Sequence, residues 1–246
     1  MKNLAAALSV AVLLAGCAGG PGGSARDRFY RSLEPQANPS AVIATELALA
    51  REARERGQWT AFRRFAADDA VMFVPEAVDA RQWLARRQDP PQPVRRQPHM
   101  LWSSCDGSLS VTRGAWQKPD GTTGYFITVW ERRGRPGDKE EHRWMLDHTD
   151  TLAEPLAEPD IIRTRVADCA PGGPPAAFAS AQADRDANTD AMGLGLADGY
   201  GESRDRTLVY RYRVAPDRSR VVTVFLRQGD AMEEVLRSEV AAPAGD

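Results

Sequence analysis

From residue 99 onward the apolar side chains recur at every second position, which is the spacing of β-strands and not of helices. Asp106-Gly107 and Asp120-Gly121 separate these segments, and both dipeptides are typical of tight hairpin turns. A chain with this pattern is restricted to a meander in which each strand pairs with the next. The predicted strands cover residues 99–105, 109–117, 123–133 and 141–150.

The segment before the meander has the three-to-four-residue spacing of helices. Residues 40–56 predict a helix that begins at Ser40 as N-cap and stops at Gly57. A helix in contact with a sheet buries one stripe of side chains. The stripe expected to face the core comprises Ile43, Leu47, Ala50 and Arg54.

Shorter elements connect this helix to the meander. Residues 58–67 predict a second helix, 71–75 a strand, and 80–87 a third helix capped by Asp79. The order helix, helix, strand, helix and then an antiparallel meander is typical of an α+β fold.

The sequence pattern changes beyond residue 150. Residues 151–205 predict a linker with one strand at 161–169, and residues 206–240 predict a smaller three-stranded meander. Three strands with one apolar face are marginally stable alone. This C-terminal meander is therefore expected to pack on the first domain, residues 40–150.

The N-terminus has the three-part layout of a secretory signal, predicted as residues 1–16. Its apolar run from Leu4 to Leu14 is too short to span a bilayer. The last residues, Leu14-Ala15-Gly16-Cys17, resemble the bacterial lipobox. That resemblance implies cleavage before Cys17 and lipidation of its sulfur, with residues 17–39 as a flexible tether. The alternative is an ordinary secreted protein cleaved near Ala18-Gly19.

A lipidated Cys17 would hold the protein at the cell envelope by its acyl chains. Because Ala follows the cysteine, where an Asp would favour retention in the inner membrane, the resemblance implies the periplasmic face of the outer membrane. The formal net charge of −2 comes without any basic stripe of interleaved aromatics, so nucleic acid is not an expected partner.

Two cysteines remain once Cys17 is assigned to lipid. An even pair in an oxidising compartment predicts a disulfide between Cys105 and Cys169, the alternative being two separate thiols. The three histidines share no ligand spacing with each other or with the cysteines, so neither a metal nor a cofactor is expected.

Residues 40–150 resemble the nuclear transport factor 2-like superfamily in its SnoaL-like branch. The similarity is carried by ELALAREARERGQWTAFRRFAADDAVMFVP, by DGSLSVTRGAWQKPDGTTGYFITVWERR and by RWMLDH. It implies an α+β fold in which a curved antiparallel sheet wraps helices into a cystatin-like cone with an apolar pocket. Many members are dimers, which implies a homodimer, whereas a C-terminal segment on the outer sheet face would oppose it.

Strand parity predicts which residues of the 123–150 hairpin face the pocket, and a set of tryptophans is expected to complete its aromatic lining. Pairing Trp130 with Trp144 places Leu146 and His148 on the same face as Trp130, and Asp147 on the opposite one. The Trp130 face is assigned to the cone interior. The residues predicted to line the pocket are Trp59, Phe62, Trp102, Trp116, Phe126, Thr128, Trp130, Trp144, Leu146 and His148. The alternative for the tryptophans is a packed core.

His148 is the catalytic candidate because imidazole titrates near neutral pH, and Asp68 is the candidate for a second polar group. The alternatives are a histidine that bonds a backbone carbonyl and an Asp68-Asp69 turn that ends the helix.

Three functions therefore compete. The favoured one is a lipid-anchored envelope protein that binds a small apolar ligand or is purely structural. The second is an isomerase-, dehydratase- or cyclase-like enzyme that uses His148. The third is a protein-interaction module in envelope assembly.

Overall fold

Three helices are formed by the part of the chain that the computed structural model describes, residues 36–134, 141–169 and 197–243. They are α1 (Pro39–Arg56), α2 (Gln58–Phe65) and α3 (Ala80–Ala85). The predicted signal, Cys17 and most of the tether lie outside the described residues.

The start of α1 differs from the prediction. Asn38, and not Ser40, is the N-cap, and its side chain accepts a hydrogen bond from the backbone N–H of Ala41 at 3.3 Å. Pro39 fills the first helical turn, where a missing N–H costs nothing. Asp79 caps α3 as predicted and accepts from the N–H of Gln82 at 2.8 Å.

The buried stripe of α1 is also displaced by one residue from the predicted one. Leu47 is half exposed, whereas its neighbour Glu46 is fully buried. The prediction missed this stripe because Glu46 lies within it and a carboxylate is rarely fully buried. The buried side chains of α1 are Val42, Glu46, Leu49, Ala50, Glu52 and Ala53.

Two sheets are formed by the described strands. These are β1 (Ala66–Phe73), β2 (Ala77–Asp79), β3 (Arg95–Ser103), β4 (Leu109–Gln117), β5 (Thr123–Arg133), β6 (Glu141–Leu152), β7 (Arg163–Val166), β8 (Asp198–Glu202), β9 (Leu208–Val214), β10 (Arg220–Gln228) and β11 (Ala231–Val240). The large sheet has the order β2-β1-β6-β5-β4-β3-β7, and the C-terminal sheet has the order β11-β10-β9-β8.

The fold is mixed α and β, with few helices and one large mixed sheet. The expectation of a purely antiparallel sheet is wrong at two places, because β1 pairs with β6 and β7 pairs with β3 in parallel. Hairpin turns impose antiparallel pairing only on neighbours in sequence. Each parallel pair is separated by several other elements, so no short turn fixes its direction.

The large sheet is covered on both faces. The helices pack on one face, where Leu49, Phe62 and Leu84 belong to the same apolar cluster as Trp130 and Trp144. The C-terminal sheet packs on the other face, as its single apolar face predicted. The second cluster joins Ile127, Val129 and Leu146 to Val222, Val224 and Leu226. A homodimer built on this outer face would require the C-terminal sheet to be displaced.

Two turns of the same design join the sheets at one end. In Ser104–Leu109 and in Ser203–Leu208 an aspartate, Asp106 or Asp205, accepts a hydrogen bond from the serine hydroxyl at 2.7 and 2.6 Å. The turns also bond each other, since the N–H of Asp106 donates to Oδ2 of Asp205 at 2.7 Å. The described C-terminal sheet is therefore held by polar contacts as well as by apolar packing.

The predicted disulfide between Cys105 and Cys169 lies at this junction, with a Cα–Cα distance of 5.2 Å. It connects the β3–β4 turn to the chain that leaves β7. The N–H of Cys105 also donates to Oγ1 of Thr207 at 2.9 Å. The disulfide and the paired turns therefore both hold the β3–β4 turn in place.

We expect Asp205→Ala to lower the free energy of unfolding by about 2 kcal/mol, because it leaves the hydroxyls of Ser203 and Thr207 and the N–H of Asp106 without their acceptor. Asp217→Ala is the matched control. Asp217 makes the same local bonds to Ser219 in an exposed turn. Urea unfolding of both variants measures the difference, and equal losses would contradict a stabilising role for the junction.

Candidate functional site

A β-bulge in β6 decides which side chains reach the helix-covered face. Trp130 pairs with Trp144 as predicted, but Val129 pairs with Leu146, so Met145 is an extra residue in β6. Every residue after Met145 therefore points to the face opposite to the predicted one. The prediction that Leu146 lies on the Trp130 face is wrong, because this bulge inverts the parity of the strand.

His148 lies on the same outer face as Leu146, between the two sheets. It is fully buried, its Nε2 is 2.9 Å from Oγ of Ser238, and that hydroxyl lies 2.6 Å from the hydroxyl of Tyr125. Burial, and then the positive charge of Arg220, lower the pKa of His148 to about 3. The predicted role of His148 as an acid or base in the pocket is therefore not supported, because the side chain is neutral and faces away from the cone.

We predict that this burial makes stability fall with acidity. The unfolded chain binds a proton on His148 between its ordinary pKa of 6.5 and its native pKa of about 3, whereas the native chain does not. The stability is fully present above the ordinary pKa. It is lost as the pH falls, by up to about 1.4 kcal/mol per unit.

Urea unfolding at pH 6.5 and one unit lower measures this loss in the wild type and in His148→Gln. The wild type should lose more than the variant, because glutamine does not titrate. Equal losses would show that other groups cause the pH dependence.

Asp68 does not reach the pocket either. Its side chain is exposed and forms an ion pair with Arg81 at 3.0 Å. The strand β1 begins at Ala66, earlier than predicted, so Asp68 and Asp69 belong to a strand and not to a turn. The prediction of Asp68 as a second pocket group is wrong for this reason.

The tryptophans divide into two groups. Trp130 and Trp144 are fully buried beneath the helices, and Trp102 belongs to the core shared with the C-terminal sheet. Trp59 and Trp116 line a cleft. Of the five tryptophans predicted to line the pocket, two therefore face an open space.

The cleft has a volume of about 180 Å³ and lies between α1, α2, the end of β1 and the strands β3, β4 and β6. Its walls are mostly apolar, and a few polar groups converge on it, which is the usual character of a small-molecule site. The apolar side chains that line it include Ala53, Trp59, Phe62, Met72, Val74, Val94 and Trp116. The polar ones are Gln58, Arg96, Lys118, Asp147 and Thr149.

An ion pair lies at the wall of this cleft. Nη2 of Arg96 donates to Oδ2 of Asp147 at 2.9 Å and to Oγ1 of Thr128 at 2.7 Å. Thr128 in turn donates to the same carboxylate oxygen at 2.9 Å. The guanidinium lies over the ring of Phe126, 3.8 Å from its centroid. Phe126 and Thr128 therefore support the ion pair and do not themselves line the cleft.

Glu46 completes a buried triad behind this pair. Its Oε2 accepts hydrogen bonds from Thr112 and from the indole of Trp130, both at 2.9 Å, and its Oε1 lies 3.6 Å from Nε of Arg96. Burial raises the pKa of Glu46 even though Arg96 opposes the shift. Burial alone would lower the pKa of Arg96, but Asp147 and Glu46 outweigh it and keep the guanidinium charged.

A second cavity of about 490 Å³ opens between α1, the end of α2 and the start of β6. Polar side chains dominate its walls. Arg143 donates there to Glu141 at 2.7 Å, and Arg64 bonds Glu52 at 2.6 Å. Because apolar walls favour the burial of a ligand, the smaller cleft is the better candidate site.

Within the described ranges, no cluster of three or more His, Cys, Asp or Glu side chains is placed to hold a metal ion. The helices of that same part of the chain are all too short or too polar to cross a membrane. The described residues thus form a helix-covered mixed sheet with an apolar cleft over an ion pair.

The chain matches no protein-family model and no curated protein. Among solved structures it is similar to a Novosphingobium aromaticivorans protein described only provisionally as an aromatic ring hydroxylase. The TM-score is 0.33, with 12% identity over 47% of this chain and 90% of that one.

It is also similar to a nuclear transport factor 2-like protein of unknown function from Mesorhizobium loti. The TM-score is 0.28, with 13% identity over 48% of this chain and 99% of that one. These likenesses are distant.

Proposed function

We propose that this protein is a lipid-anchored component of the bacterial cell envelope whose nuclear transport factor 2-like domain binds a small, largely apolar molecule. The observation that carries the proposal is the cleft beside Arg96 and Asp147, which combines aromatic walls with a fixed polar group. Apolar walls supply affinity through burial, and a fixed polar group orients the ligand.

Binding is favoured over catalysis by the ionisable groups of the cleft. Acid–base chemistry requires two such groups that converge on a reacting atom. The described lining offers Asp147, its partner Arg96, and Lys118, which is exposed in the turn after β4. His148, the sequence-based candidate for this chemistry, lies on the other face of the sheet.

The envelope location rests on the sequence. Leu14-Ala15-Gly16-Cys17 follows the apolar run directly, and a lipid on Cys17 would place the domain at the periplasmic face of the outer membrane. The Gly- and Pro-rich tether would let the domain move away from the bilayer.

Native mass spectrometry of the detergent-extracted protein tests both parts. We expect an acyl mass on Cys17 that is absent from Cys17→Ala, and a small molecule retained by the wild type. The same spectrum reports whether the chain forms the homodimer that the family resemblance implies.

Ala53→Leu would fill the cleft and should abolish retention. Ala44→Leu, the same change at an exposed position of α1 that lines the second, more polar cavity, should not. Retention by both variants would contradict binding in the cleft, and an unmodified Cys17 would contradict the anchor.

A further inference from the structure

We infer that the ligand of the cleft is a neutral molecule with a hydroxyl group on a small apolar body, and that this hydroxyl bridges Asp147 and Arg96. The inference rests on the proposed ligand-binding function and specifies the chemistry of the ligand. Three features of the cleft carry it.

The first feature is size. A volume of about 180 Å³ is below the roughly 300–1,000 Å³ of sites for drug-sized ligands. Trp59 and Phe62, whose rings pack edge to face with centroids 5.8 Å apart, and Trp116 provide aromatic walls. A body of one or two rings, fused or not, fits such a space, whereas a long chain or a system of three or more fused rings does not.

The second feature is charge balance. An arginine in an apolar cleft would ordinarily attract a carboxylate, but the charge of Arg96 is already compensated by Asp147 at 2.9 Å, with Glu46 at 3.6 Å behind it. A charged ligand would lose its hydration beside a pair that is already neutralised, which is costly. Lys118, the other cation of the described lining, is exposed in the turn after β4, where solvent and salt screen its charge. Carboxylates and ammonium ions are therefore disfavoured.

The third feature is an open hydrogen-bonding position. Oδ2 of Asp147 already accepts from Arg96 and Thr128, whereas Oδ1 has one contact with a described residue, Nη1 of Arg96, at 3.5 Å. That distance is at the limit of a hydrogen bond. A hydroxyl both donates and accepts, so it can donate to Oδ1 and accept from Nη1. A carboxylate can only accept, and an ammonium can only donate.

Calorimetry with three ligands that share one ring system tests this inference. The probes are naphthalenemethanol, naphthoic acid and naphthalenemethylamine, titrated into the full chain in lipid nanodiscs. Nanodiscs that carry Ala53→Leu subtract partition into the lipid. We expect the alcohol to bind at least tenfold more tightly than either charged probe, because only it matches the open position.

Asp147→Asn is the second arm. It leaves Arg96 with less compensation, so the preference should move toward naphthoic acid by at least fivefold relative to the alcohol. Tighter wild-type binding of the acid or of the amine would overturn the inference and leave the proposed function intact. Failure of all three probes to bind would overturn both.

Discussion

Arg96→Met should lower the free energy of unfolding by about 3–5 kcal/mol, which is the range for breaking a buried ion pair on one side. Methionine replaces the aliphatic part of the arginine side chain, but it leaves Glu46 and Asp147 without their shared cation. Both carboxylates are buried, and Glu46 has no exposed surface at which water could replace the lost partner. Urea unfolding with linear extrapolation measures the loss.

The matched control is the triple variant Arg96→Met, Glu46→Gln, Asp147→Asn. It removes the two orphaned charges as well, so it should recover most of the lost stability, since an uncharged polar group costs less to bury. A triple variant less stable than the single one would show that the loss comes from packing on Phe126 and not from charge.

The second large effect is expected from the disulfide. The double variant Cys105→Ser, Cys169→Ser should lose about 4 kcal/mol, because the crosslink closes a loop between residues 64 positions apart. In the chain-entropy model, a crosslink that closes a loop of this length strongly restricts the unfolded chain. Replacing the two cysteines by serines removes this restriction and changes few contacts of the native chain.

The comparison that checks it is unfolding of the oxidised wild type, the reduced wild type and the double variant. The reduced protein and the variant should unfold at the same urea concentration, well below the oxidised protein. An oxidised protein no more stable than its reduced form would contradict the crosslink's contribution.

The meander and the two main helices were predictable because their signals are local. Period-two alternation and the Asp-Gly turns at 106–107 and 120–121 define β3 to β6, whose hairpins form as expected. The pair of cysteines was likewise predictable from the compartment implied by the N-terminus.

The site was harder to predict because one extra residue changes it. Met145, the bulged residue, lies in a strand whose two faces are both covered, so apolar side chains occur on either side and alternation carries no register information. Without the bulge His148 would face the helices. With it, Asp147 takes that place.

The sequence contains one signal of the buried triad of Glu46, Arg96 and Asp147. Glu46 lies four residues after Val42 and three before Leu49, which places it in an apolar helical stripe. A carboxylate at such a position indicates a buried partner, and Arg96 is that partner. The sequence alone does not identify it, because Arg96 lies fifty residues away in a Pro-rich segment.

The central claim is that ligand binding occurs in the cleft beside Arg96 and Asp147. Titration of naphthalenemethanol into the full chain in nanodiscs, with isotope-labelled tryptophan observed by NMR, tests it most directly. The indole signals of Trp59 and Trp116, which line the cleft, should shift, while that of Trp102, in the core between the two sheets, should stay in place. Binding that moves Trp102 and leaves Trp59 and Trp116 unchanged would contradict the claim.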